Sequence, residues 1–195
     1  MMSTNPLKWK LRTLLYLFFA LFGFYVIFLL KKNHHFVSEF TIKNTRAETV
    51  WEFVADFSNM LKLNPTIEEF DIINESGNYD HWKYSVKYKE HLHHMPAIKN
   101  VARGHFSIRQ DGNSYTIMSN HETCFFDGFN CVNSISKFTF SQSDEDTKCV
   151  ETILYECPLA FSQFCYREVA YQRNEIMTRL KRHFSLVNVH TEEDK

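Results

Sequence analysis

The sequence predicts an α+β fold in which a seven-stranded antiparallel sheet wraps around a long C-terminal helix, preceded by one transmembrane helix. Three observations carry this reading. A charge-free apolar run lies near the N-terminus, stretches of alternating apolar and polar residues fill the middle, and apolar residues recur at steps near four toward the end. The chain has 195 residues, 16% of them aromatic, so it has the apolar mass to fold and is not a disordered chain. Its net charge is -1, which excludes a basic nucleic-acid binder; no nucleic-acid partner is expected. There is no glycine-rich phosphate loop and no CxxC pair, so no cofactor and no metal is expected. The organisation expected is a flank and transmembrane helix over 1–33, one globular domain over 34–185 and a polar tail over 186–195.

Thr13 to Leu30 contains no charged residue and is long enough, as a helix, to cross a hydrocarbon core of roughly 30 Å. A cleaved signal peptide is the alternative. Its apolar region is shorter, however, and Phe28-Leu29-Leu30-Lys31-Lys32 lacks the small residues of a cleavage site. Lys8, Lys10 and Arg12 precede the run, whereas Lys31, Lys32 and Lys43 follow it and are offset by Glu39. The positive-inside bias favours a cytoplasmic N-terminus. This describes a single-pass protein of an endomembrane or the cell surface, its main domain lumenal or extracellular. Asn74-Glu75-Ser76, the only N-x-[ST] sequon, is usable on that side.

In the domain, Phe36, Phe40 and Ile42 mark a first strand. Thr45-Arg46-Ala47-Glu48 has the form of a capping box, opening a short helix with Val50, Trp51, Phe53, Val54 and Phe57 on one face. A second short turn with Met60, Leu61 and Leu63 ends before Asn64-Pro65. Strands follow over 67–74, 81–91, 98–110, 114–126, 129–142 and 148–157. The clearest alternates Trp82, Tyr84, Val86 and Tyr88 with Lys83, Ser85, Lys87 and Lys89. Asp111-Gly112 and Asp127-Gly128 read as two-residue hairpin turns. After Pro158, the span Leu159 to Phe184 reads as one helix. Phe161, Cys165, Val169, Ile176, Leu180 and Phe184 form its apolar stripe, broken once at Gln172, and Glu168 and Arg173 lie on other faces.

In element order the chain resembles the START-like superfamily of polyketide cyclases, birch-pollen-allergen relatives and StAR-related lipid-transfer domains. The stretch Ala47-Glu48-Thr49-Val50-Trp51-Glu52-Phe53-Val54-Ala55-Asp56-Phe57 is similar to that family's opening helix. The glycine-rich loop of the plant members has no match in Glu75-Ser76-Gly77-Asn78-Tyr79-Asp80. The resemblance implies a helix-grip fold with a hydrophobic cavity between sheet and long helix, for a lipid, sterol or polycyclic ligand.

The two turns propose a register. Across the first, Phe106 faces Ile117 and Ile108 faces Tyr115; across the second, Ile117 faces Phe138, Tyr115 faces Phe140 and Cys124 faces Cys131. Placing Gln142 opposite Lys148 puts Val150, Leu154 and Glu156 on the same face. That face has an apolar end, Tyr115, Ile117, Phe138 and Phe140, and a polar end where Ser119 meets Ser136 and His121, Ser134 and Glu156 align. Tyr115, Ile117, His121, Ser134, Phe138, Phe140, Leu154 and Glu156, with Val169 and Ile176 from the helix, are the candidate ligand-binding residues. An amphiphile would set its tail on the apolar end and its head on the polar row; alternatively, the polar groups meet water at the rim of the sheet.

Three functions stay open: a membrane-anchored module binding a lipid or hydrophobic small molecule, a cyclase or dehydratase using a His121–Glu156 pair as base, and an interaction protein whose grip is filled by Phe161, Phe164, Tyr166, Tyr171, Met177 and Phe184. No nucleophile or second acid accompanies the His–Glu pair, so no residue is assigned as catalytic. His91 and His93 share a strand face but lack a full ligand set, which makes a solvated loop the expectation. Cys124 and Cys131 are read as a hydrogen-bonded cross-strand pair with Cα atoms about 5.5 Å apart. A lumenal domain permits their bridging, and a cytosolic one leaves them reduced.

Overall fold

The computed structural model describes residues 6–79, 81–112, 114–125, 128 and 130–193. Helix α1 (Pro6–Phe24) runs into a π-helical turn (Tyr25–Leu29), and strand β1 (Lys31–Ile42) begins after a single residue. Then come α2 (Ala47–Ala55), α3 (Met60–Leu63), β2 (Ile67–Asn78), β3 (His81–Leu92), β4 (Met95–Asp111), β5 (Ser114–Phe125), β6 (Asn130–Ser143), β7 (Asp146–Pro158) and α4 (Ser162–Glu193). The strands form one antiparallel sheet in the order β1-β7-β6-β5-β4-β3-β2, wrapped around α4. The α+β helix-grip architecture is the one the sequence predicts. Trp9–Leu29 is long and apolar enough to cross a membrane, and none of its residues is buried.

The alternation in β3 survives in the structure: Tyr84, Val86 and Tyr88 are buried while Lys83, Lys87 and Lys89 are exposed. The β5–β6 register is the expected one, with Ile117 opposite Phe138 and Cys124 opposite Cys131. Asp127 of the expected second turn, with Phe126 and Phe129 beside it, lies outside the described residues. Between β4 and β5 the pairing differs from expectation by two residues. Asp111 pairs with Ser114, so it belongs to the strand, and Ile108 faces Ile117. A shift of two preserves which side chains share a face. Between β6 and β7 the difference is one residue, because Ser143 pairs with Asp146 and only two residues make the turn. Asp144 adopts φ 55° there. This slip reverses β7. Cys149, Glu151, Ile153 and Tyr155 face inward, and Val150, Leu154 and Glu156 face out.

Two local expectations are also corrected. The capping box does not form: Thr45 Oγ1 donates to the Lys43 carbonyl, and the first N–H of α2, on Ala47, donates to Gln142 Oε1 of β6 at 2.8 Å. A side-chain amide from the sheet thus serves a donor that a local cap would otherwise take. The long helix does not stop at Phe184 but continues to Glu193.

The core has two parts. The larger is built on Trp51, Phe57, Tyr84, Phe106, Phe138, Phe140, Ile176 and Leu180 with their neighbours; the smaller contains Ile153, Tyr155 and Cys157 against Phe36, Cys165 and Val169. Disulfides join Cys124 to Cys131 and Cys157 to Cys165. The first bridge spans Cα atoms 4.0 Å apart, nearer the close spacing of non-hydrogen-bonded pairs than the wider spacing expected. The second has no counterpart in the sequence reading. Cys149 is a buried free thiol whose pKa desolvation pushes up to about 12.

Candidate functional site: a polar cavity under the long helix

A cavity of about 130 Å³ lies between the sheet and α4. Its apolar wall includes Phe57, Phe106, Ile117, Phe138 and Ile176. Its polar wall includes Tyr88, Glu90, Ser119, His121, Ser134, Ser136, Glu151 and Arg173. Strand alternation brings the polar residues inward from β3, β5, β6 and β7, and α4 supplies Arg173.

The centre of the polar wall is an ion pair. Arg173 Nη1 donates to Glu151 Oε1 at 2.9 Å, and Ser136 Oγ donates to the same oxygen at 2.7 Å. Glu151 is 3% exposed. Its second oxygen, Oε2, and Arg173 Nε are buried and have no partner in the protein. Both groups therefore retain unused hydrogen-bonding capacity.

Tyr88 Oη lies 2.9 Å from His121 Nδ1. Gly104 stands opposite His121 on the neighbouring strand, where a Cβ would lie 2.8 Å from the Phe106 ring and 3.0 Å from His121 Nδ1. The absence of a side chain thus makes room for the imidazole. Burial lowers the His121 pKa to about 3, reinforced by Arg173 and His105, so the ring is neutral at physiological pH. Burial raises the Glu90 carboxyl to about 7, opposed by Arg173 and supported by Glu168.

These shifts act oppositely on stability. Between pH 4.5 and 7, folded Glu90 holds a proton that the unfolded chain has released, so its contribution declines as pH rises through that window. Below pH 6.5 and down to about 3, the unfolded chain binds a proton at His121 that the folded chain refuses, so that contribution declines as pH falls. Glu90→Gln is therefore expected to melt above the parent at pH 8, with the gap narrower at pH 5. Parallel melting curves of parent and variant at the two pH values check this.

Of the candidate residues, Ile117, His121, Ser134, Phe138 and Ile176 line the cavity. Phe140 is fully buried in the larger core, and Tyr115 lies against Trp51 with ring centres 5.0 Å apart. Val169 packs in the smaller core. Leu154, 42% exposed, is on the outer face. Glu156, also on that face, accepts from the Asn133 backbone N–H at 3.0 Å and lies 3.6 Å from Lys31. His121 and Glu156 are thus not a pair. The sequence reading assigned neither Glu151 nor Arg173 to the site. The break in the apolar stripe at Gln172 falls where Gln172 and Arg173 line the cavity.

Most of the helix aromatics expected to fill the grip lie elsewhere. Phe161 and Tyr166 are about half exposed, at 41% and 50%, and only Phe184 of the six is buried. Tyr171 stacks on His93, whose backbone N–H, with that of His94, donates to the buried Glu168 carboxylate at 3.1 and 2.9 Å. His91 instead reaches Glu68, so His91 and His93 serve different contacts. Glu122 stands beside Cys124 and Cys131, but those sulfurs are bonded to each other. A wider depression beside Arg46, Tyr115 and Gln142 is open to solvent and has no unpartnered buried polar side chain among the described residues.

Solved structures share this fold at low identity. A START superfamily protein from Mycobacterium smegmatis superposes with a TM-score of 0.55 at 11% identity, over 79% of this chain and 99% of that one. A STAR-related lipid transfer protein fragment from Xanthomonas axonopodis gives 0.57 at 12% identity, over 77% and 85%. The di-domain ARO/CYC BexL gives 0.58 at 9% identity, over 77% of this chain and 50% of its own. These likenesses show a START-like fold. No family model matches the sequence, and no curated relative does.

Proposed function

We propose that the protein is a membrane-anchored module that binds a compact amphiphilic small molecule between its sheet and its long helix. One observation carries this reading: Glu151 and Arg173, whose Oε2 and Nε atoms are buried without partners, line the same cavity as the apolar side chains Phe57, Phe106 and Phe138. A ligand with an apolar body and a group that both donates and accepts hydrogen bonds satisfies the two atoms together. At the apolar end of the sheet, Phe138 and Phe140 belong to the larger packed core. At about 130 Å³, the cavity is smaller than the roughly 300–1,000 Å³ of drug-sized sites, so it takes a molecule of few atoms or one end of a larger one. A cyclase-like activity is less supported, since His121 lacks the Glu156 partner and its low pKa makes it a poor base at neutral pH.

The test is to extract the full chain with its surrounding lipid, without detergent, and identify by mass spectrometry what denaturation releases beyond bulk lipid. A small amphiphile near one per chain supports the reading. A folded chain that releases none contradicts it.

The domain is assigned to the lumenal or extracellular side of a single-pass membrane protein. The support is the basic N-terminal flank, the two disulfides, which persist in oxidising compartments, and the exposure of Asn74 on edge strand β2. Two results are expected. Glycosidase treatment shifts the parent but not Asn74→Gln. Alkylation of denatured, unreduced protein labels only Cys149. Labelling of all five cysteines with no glycan places the domain in the cytosol.

A further inference from the structure

We infer that the turn Leu159–Phe161, between β7 and α4, is a second membrane contact that seats the domain on the bilayer carrying its own anchor. The inference rests on the anchor part of the function proposed above and is independent of the ligand. The apolar run ends at Leu30, and the Leu30 carbonyl accepts the Leu159 backbone N–H at 3.2 Å. Phe161 packs on Phe28, ring centres 5.7 Å apart, and Phe28 lies inside the apolar run. Two independent segments therefore reach the same depth.

Leu159 and Phe161 nevertheless remain 40% and 41% exposed, and they continue the exposed apolar surface of Tyr25, Ile27 and Phe28. An apolar surface continuous with a membrane span has the span's own lipid as its neighbour, which fixes the occupant as the bilayer. The turn is also held in place. The Cys157–Cys165 disulfide closes the segment that contains it, tying the end of β7 to the first turns of α4. Lys31, which follows the apolar run, is tied to the Cys131 carbonyl and to Glu156, so β1 and β6 are fastened at the same level.

One consequence concerns the cavity. Ser134 pairs with Tyr155, three residues before Pro158. At roughly 3.3 Å per residue, the polar wall begins about 10 Å along the strand from the turn.

The experiment places a reporter at the turn in the full chain, reconstituted in nanodiscs of phosphatidylcholine with or without bromine on its acyl chains. Emission of the unsubstituted chain, with its native tryptophans, is subtracted. The signal added by Phe161→Trp is expected to fall by at least half in brominated lipid. The signal added by Val37→Trp, on exposed β1 away from the turn, is expected to stay within a tenth. Co-flotation with lipid and equal, negligible quenching at both positions overturns the membrane contact while leaving the anchor intact. A chain that does not float with lipid overturns both. Loss of a bound small molecule changes neither readout.

Discussion

Arg173→Met is expected to destabilise the full chain by about 3–5 kcal/mol, because it strands the Glu151 carboxylate in the interior with only Ser136 as partner. Domains of this size have about 5–15 kcal/mol in total, so the variant will be partly unfolded at moderate temperature. The paired change Arg173→Met with Glu151→Met removes both charges and replaces them with apolar side chains of similar length. It is expected to return within about 1–2 kcal/mol of the parent, since a buried ion pair contributes little net stability against well-packed apolar replacements. Denaturation curves of parent, both single variants and the double variant measure the coupling directly. Equal loss in the single and double variants means that the pair does not behave as one unit.

The second large effect is Phe140→Ala, expected to cost about 3–5 kcal/mol. The side chain has no exposure and lies tilted against Phe138, ring centres 4.3 Å apart, within the larger core. This predicted cost reflects packing alone. Phe138→Ala differs, because that ring also lines the cavity and its loss enlarges the site. The two variants together separate core from ligand surface: both lose stability, but only Phe138→Ala alters ligand binding. If Phe140→Ala changes binding without a stability loss, the division of the inner face drawn here is wrong.

The sheet was legible where one face is distinctly apolar and the turn has a strong signal. In β3, aromatic and aliphatic residues alternate with lysines, so a single register satisfies burial. The same logic placed Ile117, His121, Ser134 and Phe138 on one face, and they share the cavity. It failed at the β6–β7 hairpin. Ser143 to Thr147 reads as a five-residue acidic loop, yet the turn has only two residues between Ser143 and Asp146, with Asp144 at positive φ. Asp-Glu lacks the glycine that usually announces such a turn.

β7 also carries apolar residues on both faces, Ile153 and Tyr155 against Val150 and Leu154, so its own pattern does not fix the register. The slip hid Glu151 and offered Glu156 in its place. Arg173 was hidden differently: an arginine beside a break in an apolar stripe reads as a solvated position until a buried carboxylate is known to face it. The Cys157–Cys165 bridge depends on how β7 turns into α4, which no periodicity encodes.

The most direct test of the ligand site compares the amount of small amphiphile released per chain by the parent and by the double variant Arg173→Met with Glu151→Met, each extracted with its surrounding lipid and shown to melt cooperatively. The parent is expected to release close to one molecule per chain, and the folded double variant less than a tenth of that. Equal release from both proteins, or none from a folded parent, contradicts the assignment of the Ser136–Glu151–Arg173 group as the point that holds the ligand.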